Sequence, residues 1–227
     1  MTQRKRSQGE CDFCGREMTK AGLARHFATC PQRQEAIAAA NQGPGKEQTL
    51  YHLLVQDAWG GDFWLHLEVN GSATLSDLDH YLRAIWLECC GHLSRFSVGE
   101  WQGREIAKKT PLQKAFGVGT ELTHIYDFGT SSITLLKALA CRKGNPLTSH
   151  PIFLMARNNQ PEAHCMECGQ PAAWLCIECW EEQEEPGFLC DQHAHDHPHT
   201  DYGEPLRLVN SPRLGMCGYT GPAEPPY

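Results

Sequence analysis

The sequence predicts an α+β protein, with a small mixed sheet and one main helix between two modules rich in cysteine and histidine. The middle of the chain alternates apolar and polar residues, as strands do, around one amphipathic helical pattern. Twelve cysteines and twelve histidines stand in 227 residues, and most of the cysteines gather towards the two ends. The net charge of −7 combines a basic beginning with a strongly acidic region near the end.

Changes of composition divide the chain into four segments. Residues 1–33 are a basic arm followed by a Cys/His cluster. Residues 34–47 are a linker, in which EAIAAANQGPGK predicts a short alanine-rich helix that ends in Gly-Pro-Gly. Residues 48–160 carry the strand and helix patterns and are long enough for one hydrophobic core. Residues 161–227 are rich in Gly, Pro, Cys, His and Glu and lack periodicity, so they need stabilisation other than a large apolar core.

The middle segment, 48–160, predicts a definite order of elements. Two strands are expected at 48–56 and 62–69, followed by an amphipathic helix over 74–90. The apolar face of this helix is formed by Leu75, Leu78, Leu82, Ile85 and Trp86. Further strands are expected at 92–98, 120–128, 132–141 and 151–158.

The first Cys/His cluster has the spacing of a zinc finger. Cys11 and Cys14 form a Cys-x2-Cys pair, and the spacing of His26 and Cys30 places both on one face of a helix. Four protein ligands complete a tetrahedral zinc ion, so the site is expected to be structural rather than catalytic. The segment resembles a Cys-Cys-His-Cys variant of the ββα zinc finger.

The same segment suggests nucleic-acid binding as an alternative role. Residues 1–33 carry seven lysines and arginines against three acidic residues, a net charge of +4. The candidates for contacts with DNA or RNA phosphates are Arg4, Lys5, Arg6, Arg16, Lys20 and Arg25. A single finger covers only about three base pairs, and single fingers also bind proteins, so both roles stay open.

The second Cys/His cluster contains three consecutive ligand pairs followed by further histidines. The pairs are Cys165 with Cys168, Cys176 with Cys179, and Cys190 with His193. Such pairs usually interleave, so that the first and third bind one ion and the second binds another together with later ligands; this cross-braced arrangement resembles the B-box family. The candidates for completing the second ion are His195, His197, His199 and Cys217. One ion with a loose histidine-rich tail is the simpler alternative, so the chain is expected to hold two to three Zn²⁺ ions.

Several segments, taken in order, carry a family resemblance. They are TLYHLLVQD with the strand and helix after it, the next His-Leu-x-x-Phe strand, Tyr-Asp-Phe-Gly at 126–129, and NSPRLGMCGYTG at 210–221. Together they resemble the plasmid Ri ORF-three-like family, which includes TnpR-type passenger proteins of insertion elements. The resemblance covers most of 48–221, and its last segment is similar to a signature of zinc-bearing members. It implies an association with mobile elements.

Two departures from the family pattern bear on chemistry. After Tyr-Asp-Phe-Gly the family commonly continues Asp-x-Trp-x-His, whereas residues 130–134 here read Thr-Ser-Ser-Ile-Thr. The family's Pro-Pro-x-Trp-Arg-Arg, at the start of a strand, is replaced by Gly-Gly-Asp-Phe-Trp-Leu at 60–65. The sequence also has no P-loop, nucleophile elbow or His-Glu-x-x-His motif. We therefore expect no enzymatic activity. Cys89 and Cys90 end an apolar helix, and we expect both to be buried free thiols.

These observations favour a non-enzymatic, zinc-binding accessory or adaptor protein of a mobile-element or defence nucleic-acid machine. Its partner would be a larger protein of the transposase or nuclease type, or a second copy of the chain. Direct binding of DNA or RNA through residues 1–33 is the alternative. Residues 161–205 hold eleven acidic residues and no lysine or arginine, which disfavours one nucleic-acid surface along the whole chain.

The apolar stretches of the sequence bear on where the protein resides. None is long enough for a transmembrane helix, and the N-terminus MTQRKRSQGE has basic residues but no apolar stretch of a secretory signal. We therefore expect no membrane partner and a cytoplasmic, reducing location, where closely spaced cysteines favour metal binding over disulfides.

Overall fold

The computed structural model describes residues 7–183, 186–199 and 201–224 and confirms the α+β class. The chain divides into two compact units. The first comprises residues 1–83 and 92–159, and the second comprises residues 84–91 and 160–227. No helix in the described ranges is both long enough and apolar enough to cross a membrane.

The first unit begins with small elements and continues into a large sheet. The small elements are strands β1 (Gln8–Glu10) and β2 (Glu17–Thr19) and helices α1 (Lys20–His26) and α2 (Pro31–Gln42). The sheet strands and the helices between them are β3 (Gln48–Asp57), β4 (Trp64–Asn70), α3 (Leu75–Leu82), β5 (Ser94–Val98), β6 (Glu105–Ile106), α4 (Leu112–Ala115), β7 (Glu121–Tyr126), β8 (Ser132–Gly144) and β9 (Ile152–Arg157). The strand order is β6-β5-β7-β8-β3-β4-β9, and every pairing is antiparallel.

The sheet is larger than the sequence predicts, it is antiparallel rather than mixed, and one main helix is not supported. Helix α2 has twelve residues and α3 has eight, continued by a π-helical turn over Arg83–Leu87. The apolar periodicity reveals α3, because Leu75, Leu78 and Leu82 are buried. Helix α2 confirms the short alanine-rich helix that the sequence predicts before Gly-Pro-Gly, although it begins earlier, at Pro31, and has no buried residue.

The start of α3 is fixed by side chains that the sequence makes recognisable. The Thr74 hydroxyl accepts a hydrogen bond from the Asp77 backbone N–H (3.2 Å), and the Asp77 carboxylate accepts one from the Thr74 N–H (2.7 Å). This reciprocal capping box satisfies two backbone donors that the first turn leaves without partners.

The N-terminal elements pack on the sheet and belong to its core. Leu23 of α1 and Phe27 lie in one buried apolar cluster with Trp64 of β4 and Met155 of β9. The Asp12 N–H donates to the Met155 carbonyl (2.9 Å), which joins the two backbones directly. The zinc-finger-like segment is therefore built onto one edge of the first unit.

The second unit is small and has a short sheet. Its elements are β10 (Trp174–Cys176), α5 (Ile177–Gln183), β11 (Gly187–Leu189), α6 (Asp191–His195), β12 (Leu206–Arg207) and a 3₁₀ turn over Met216–Gly218. The sheet order is β11-β10-β12. Residues 84–91 pack with the C-terminal segment of this unit, where the Ser211 hydroxyl donates to the Trp86 carbonyl (2.6 Å).

Candidate metal centres

The first centre brings Cys11, Cys14, His26 and Cys30 together, each donor atom within 4.8 Å of the others. The Cys14 Sγ lies 3.2 Å from the His26 Nε2. Zinc bonds of about 2.3 Å to sulfur and about 2.0 Å to nitrogen place tetrahedral ligand atoms roughly 3.5 Å apart. The observed separation is close to this value, and three thiols with one imidazole are a donor set that zinc prefers.

The ligands of the first centre come from a knuckle and from two helix ends. The N–H groups of Cys14 and Gly15 donate to the Cys11 carbonyl (3.2 and 2.9 Å), and Gly15 adopts φ +70°, where a side chain would be strained. His26 is the last residue of α1. The prediction that His26 and Cys30 share one helix is wrong, because Cys30 is the N-cap of α2. Pro31, which lacks an N–H and favours the first helical position, begins the new helix there.

The burial of two cysteines in the first centre calls for a positive charge beside them. Cys11 and Cys30 are almost fully buried. Burial raises the pKa of the Cys11 thiol to about 12, although the N–H groups of Phe13 and Cys14 favour the thiolate. A divalent cation supplies the charge that makes a buried thiolate stable.

The second centre consists of Cys165, Cys168, Cys190 and His193, the first and third of the consecutive ligand pairs. The His193 Nδ1 lies 3.3 Å from the Cys165 Sγ and 3.4 Å from the Cys190 Sγ, and the Cys168 and Cys190 sulfurs are 3.9 Å apart. Burial raises the pKa of the Cys165 thiol, but N–H groups of Cys190, Glu167 and Cys168 and the His193 ring outweigh it and lower the pKa to about 6. The knuckle thus prepares a thiolate for a cation.

The third centre consists of Cys176, Cys179, His197 and His199. The Cys179 Sγ lies 3.2 Å from both the His197 Nε2 and the His199 Nδ1, and the Cys176 Sγ lies 3.7 Å from the His199 Nδ1. The other ring nitrogen of His199 is 3.9 Å from a Glu182 carboxylate oxygen. This separation is longer than a hydrogen bond, so the carboxylate lies near the ring without fixing its orientation.

Two of the remaining candidate ligands lie elsewhere. His195 is not part of either C-terminal centre and lines a neighbouring cavity of about 310 Å³. Cys217 does not complete the third centre, because its Sγ lies 3.3 Å from the Cys90 Sγ. The expectation of buried thiols at Cys89 and Cys90 is wrong. Cys89 is half-buried and Cys90 is exposed, because the helix ends at Leu87 and both residues follow it.

The candidate phosphate-binding residues are divided by the structure. Arg4, Lys5 and Arg6 lie outside the described residues. Lys20 is half-buried, where burial lowers its pKa, and its ammonium donates to the Gln56 side chain and to the Gly61 carbonyl (3.2 Å). Arg16 and Arg25 are exposed.

Sequence reasoning missed a buried polar network under α3. The Asp79 carboxylate accepts hydrogen bonds from the His124 Nε2 (2.8 Å), the Ser94 hydroxyl (2.6 Å) and the Lys108 ammonium (2.9 Å). Burial raises the pKa of Asp79, but these donors outweigh it and hold the pKa well below its usual range. The network joins α3 to β5 and β7. Its residues are far apart in sequence and have no shared spacing, so no signal reveals it.

Comparison with solved structures finds similarity of low degree. No family model matches the chain, and no curated protein matches it. Among solved structures, the chain is similar to a protein of unknown function, MM3350 from Methanosarcina mazei Go1. The two are 19% identical with a TM-score of 0.40, over 46% of this chain and 67% of that chain. A similarity of this degree assigns neither a family nor a function.

Proposed function

We propose that the protein is a non-enzymatic, zinc-binding adaptor that serves a larger nucleic-acid machine through protein–protein contacts. The observation that carries this proposal is the set of three centres, each with four cysteine or histidine ligands. A catalytic zinc ion keeps a position for water or substrate, whereas four protein ligands fill a tetrahedral ion. Zinc bound in this way contributes free energy of folding and so maintains a rigid surface in a unit with a small core.

The charge of the second unit supports a basic protein partner. Residues 161–205 carry eleven acidic side chains and no lysine or arginine. Zinc does not neutralise this charge: the five thiolates of the two centres contribute −5 and the two ions +4, so the formal charge changes from −11 to −12. Such a surface repels phosphate and attracts a basic protein face.

The first unit offers an apolar surface as well. Trp59 is 76% exposed, Leu93 74% and Phe128 54%. They lie in the β3–β4 turn, at the start of β5 and in the β7–β8 turn, which the pairings of Asp57 with Thr134 and of Ser94 with Tyr126 place at one end of the sheet. Large apolar side chains exposed at one end of a sheet are typical of a surface that contacts another protein.

Direct nucleic-acid binding is the second candidate function, and the exposure of Arg16 and Arg25 favours it. Lys20 is held by contacts within the first unit, which reduces the positive charge available to phosphate. The kind of machine, a transposase or a nuclease, is suggested by the family resemblance of residues 48–221 alone. A second copy of the chain is the other candidate partner.

The experiment is affinity purification of the full chain after crosslinking in its native host, with and without nuclease. In the test variant, three exposed acidic residues of the second unit become lysine: Glu167, Glu181 and Glu204. In the matched control the same change is made at exposed acidic residues of the first unit: Glu35, Glu47 and Glu105. We expect a nuclease-resistant partner protein with the wild type and the control, and at least tenfold less of it with the test variant.

Two further measurements distinguish the alternatives. Light scattering in low and high salt tests whether the partner is a second copy of the chain. Salt-titrated DNA binding of the wild type and of Arg16→Gln/Arg25→Gln tests the nucleic-acid candidate. A monomer that retains no protein, and whose DNA affinity falls in the arginine variant, would refute the adaptor proposal.

A further inference from the structure

We infer that Cys89, Cys90 and Cys217 form an additional zinc site in the second unit. The Cys90 Sγ lies 3.3 Å from the Cys217 Sγ and 3.6 Å from the Cys89 Sγ, although Cys217 is 127 positions away in the sequence. Sulfurs bound to one tetrahedral zinc ion are about 3.8 Å apart. All three cysteines are free of disulfides, whose sulfurs would be about 2.05 Å apart.

The backbone around Cys217 is bent in a way that side chains rarely allow. Cys217 has φ +54°, and it stands between Gly215 at φ +80° and Gly218 at φ +67°. A residue with a side chain in this region is strained, and such strain persists only where the surroundings fix it. Here the bend holds the thiol beside the two cysteines that follow the π-helical turn.

A buried cation lies beside one sulfur of this cluster. Arg213 is fully buried, and its Nη2 lies 3.3 Å from the Cys89 Sγ. A nearby guanidinium stabilises a thiolate, and the thiolate is the form that binds metal. Three thiolates and one Zn²⁺ carry a net charge of −1, which the guanidinium balances.

Hydrogen bonds hold the C-terminal segment in place around the cluster. The Arg213 N–H donates to the Ser211 hydroxyl (2.9 Å), and that hydroxyl donates to the Trp86 carbonyl. The cysteines are therefore presented by two segments that already pack together, which lowers the entropic cost of binding an ion. A metal here would fasten residues 210–221 to residues 84–91.

This site is separate from the three centres that support the proposed function, so each can fail without the other. The test is the number of zinc ions per chain, measured by elemental analysis and by native mass spectrometry of the full-length protein. The variants are Cys90→Ser and Cys217→Ser. The control is Cys141→Ser, because Cys141 is exposed and belongs to none of the described metal-binding groups.

We expect one zinc ion fewer in both test variants than in the wild type, and no loss in the control. Because Cys90 is exposed, its replacement leaves the packing of the second unit intact, and circular dichroism verifies that each variant is folded. In the cobalt-substituted proteins, the absorption difference spectrum between the wild type and Cys90→Ser should contain thiolate-to-cobalt charge-transfer bands. Equal zinc content in all four proteins, or a Cys90–Cys217 disulfide in zinc-replete reducing buffer, would overturn the inference.

Discussion

The link between the first metal centre and the sheet can be tested at Glu68. Glu68 of β4 is 3% exposed and accepts hydrogen bonds from the Arg33 Nη2 (3.0 Å) and the Arg142 Nε (3.0 Å). Arg33 belongs to α2, whose N-cap is the ligand Cys30. The substitution Glu68→Gln keeps the shape of the side chain and leaves two guanidinium groups without their shared negative charge.

The size of the effect follows from burial. Removing one partner of a fully buried ion pair costs about 3–5 kcal/mol. Arg33 and Arg142 are 13% and 16% exposed, so solvent screening favours the lower end of this range. We expect a loss of about 3 kcal/mol in the free energy of unfolding of the first unit, which is roughly a 100-fold change in the folding equilibrium. Zinc should also leave the first centre faster, since Arg33 no longer fixes the helix that begins at Cys30.

The assay is urea unfolding of the full chain, together with zinc release to a chromogenic chelator. The matched control is Glu121→Gln, which removes the same charge from an ion pair with Lys137 whose side chains are 60% and 48% exposed. Exposed pairs of this kind contribute less than about 1 kcal/mol. Equal losses in the two variants, or unchanged zinc release in Glu68→Gln, would show that the buried pair does not anchor the centre.

Two further predictions concern protons and backbone conformation. Burial lowers the pKa of His52 to about 3 and that of His66 to about 4. The unfolded chain binds more protons than the folded one below pH 6.5, so the free energy of unfolding should fall by several kcal/mol towards pH 4. Urea unfolding at a series of pH values should show a shallower pH dependence for His52→Gln than for the wild type. Parallel pH dependences in the two proteins would contradict this cause. Gly15→Ala should cost about 1–2 kcal/mol and speed zinc loss, because Gly15 has φ +70°. The control Gly117→Ala, whose added carbon would lie 3.7 Å from its nearest neighbour, should change neither stability nor zinc loss. Equal shifts of the melting temperature in the two variants would refute the argument.

The sequence predicts those parts of the structure whose signals are local. Ligand pairs such as Cys165 with Cys168 lie within one turn of chain, so spacing alone reveals them. Helix α3 follows from apolar periodicity, because it buries one face. The β3–β4 hairpin follows from two strand-like stretches around Gly60 and Gly61, although β4 is buried on both faces and its alternation does not mark an exposed side. For the cap of this helix the sequence offers Ser72 and Thr74 alike, and the structure places it at Thr74.

The parts that the sequence does not predict depend on distant residues. Cys217 has no local partner, and its neighbour in space is 127 positions away. The position of Cys30 depends on where one helix ends and the next begins, a boundary set by Pro31 rather than by the ligand spacing. The packing of Phe27 on the sheet depends on tertiary contacts with Trp64 and Met155, which leave no periodic pattern.

The alternating order of ligand pairs in the second unit has a consequence for metal supply. The chain between Cys168 and Cys190 contains one pair of the third centre, and the chain between Cys179 and His197 contains one pair of the second. When one ion leaves, the chain segment between its ligands becomes more disordered. The remaining ion must then hold its own ligands together across that segment, at a greater entropic cost. Occupancy should therefore be cooperative, with few molecules holding a single ion. The acidic surface would then form over a narrow range of free zinc, and the proposed binding of a basic partner would depend on zinc supply in the same way.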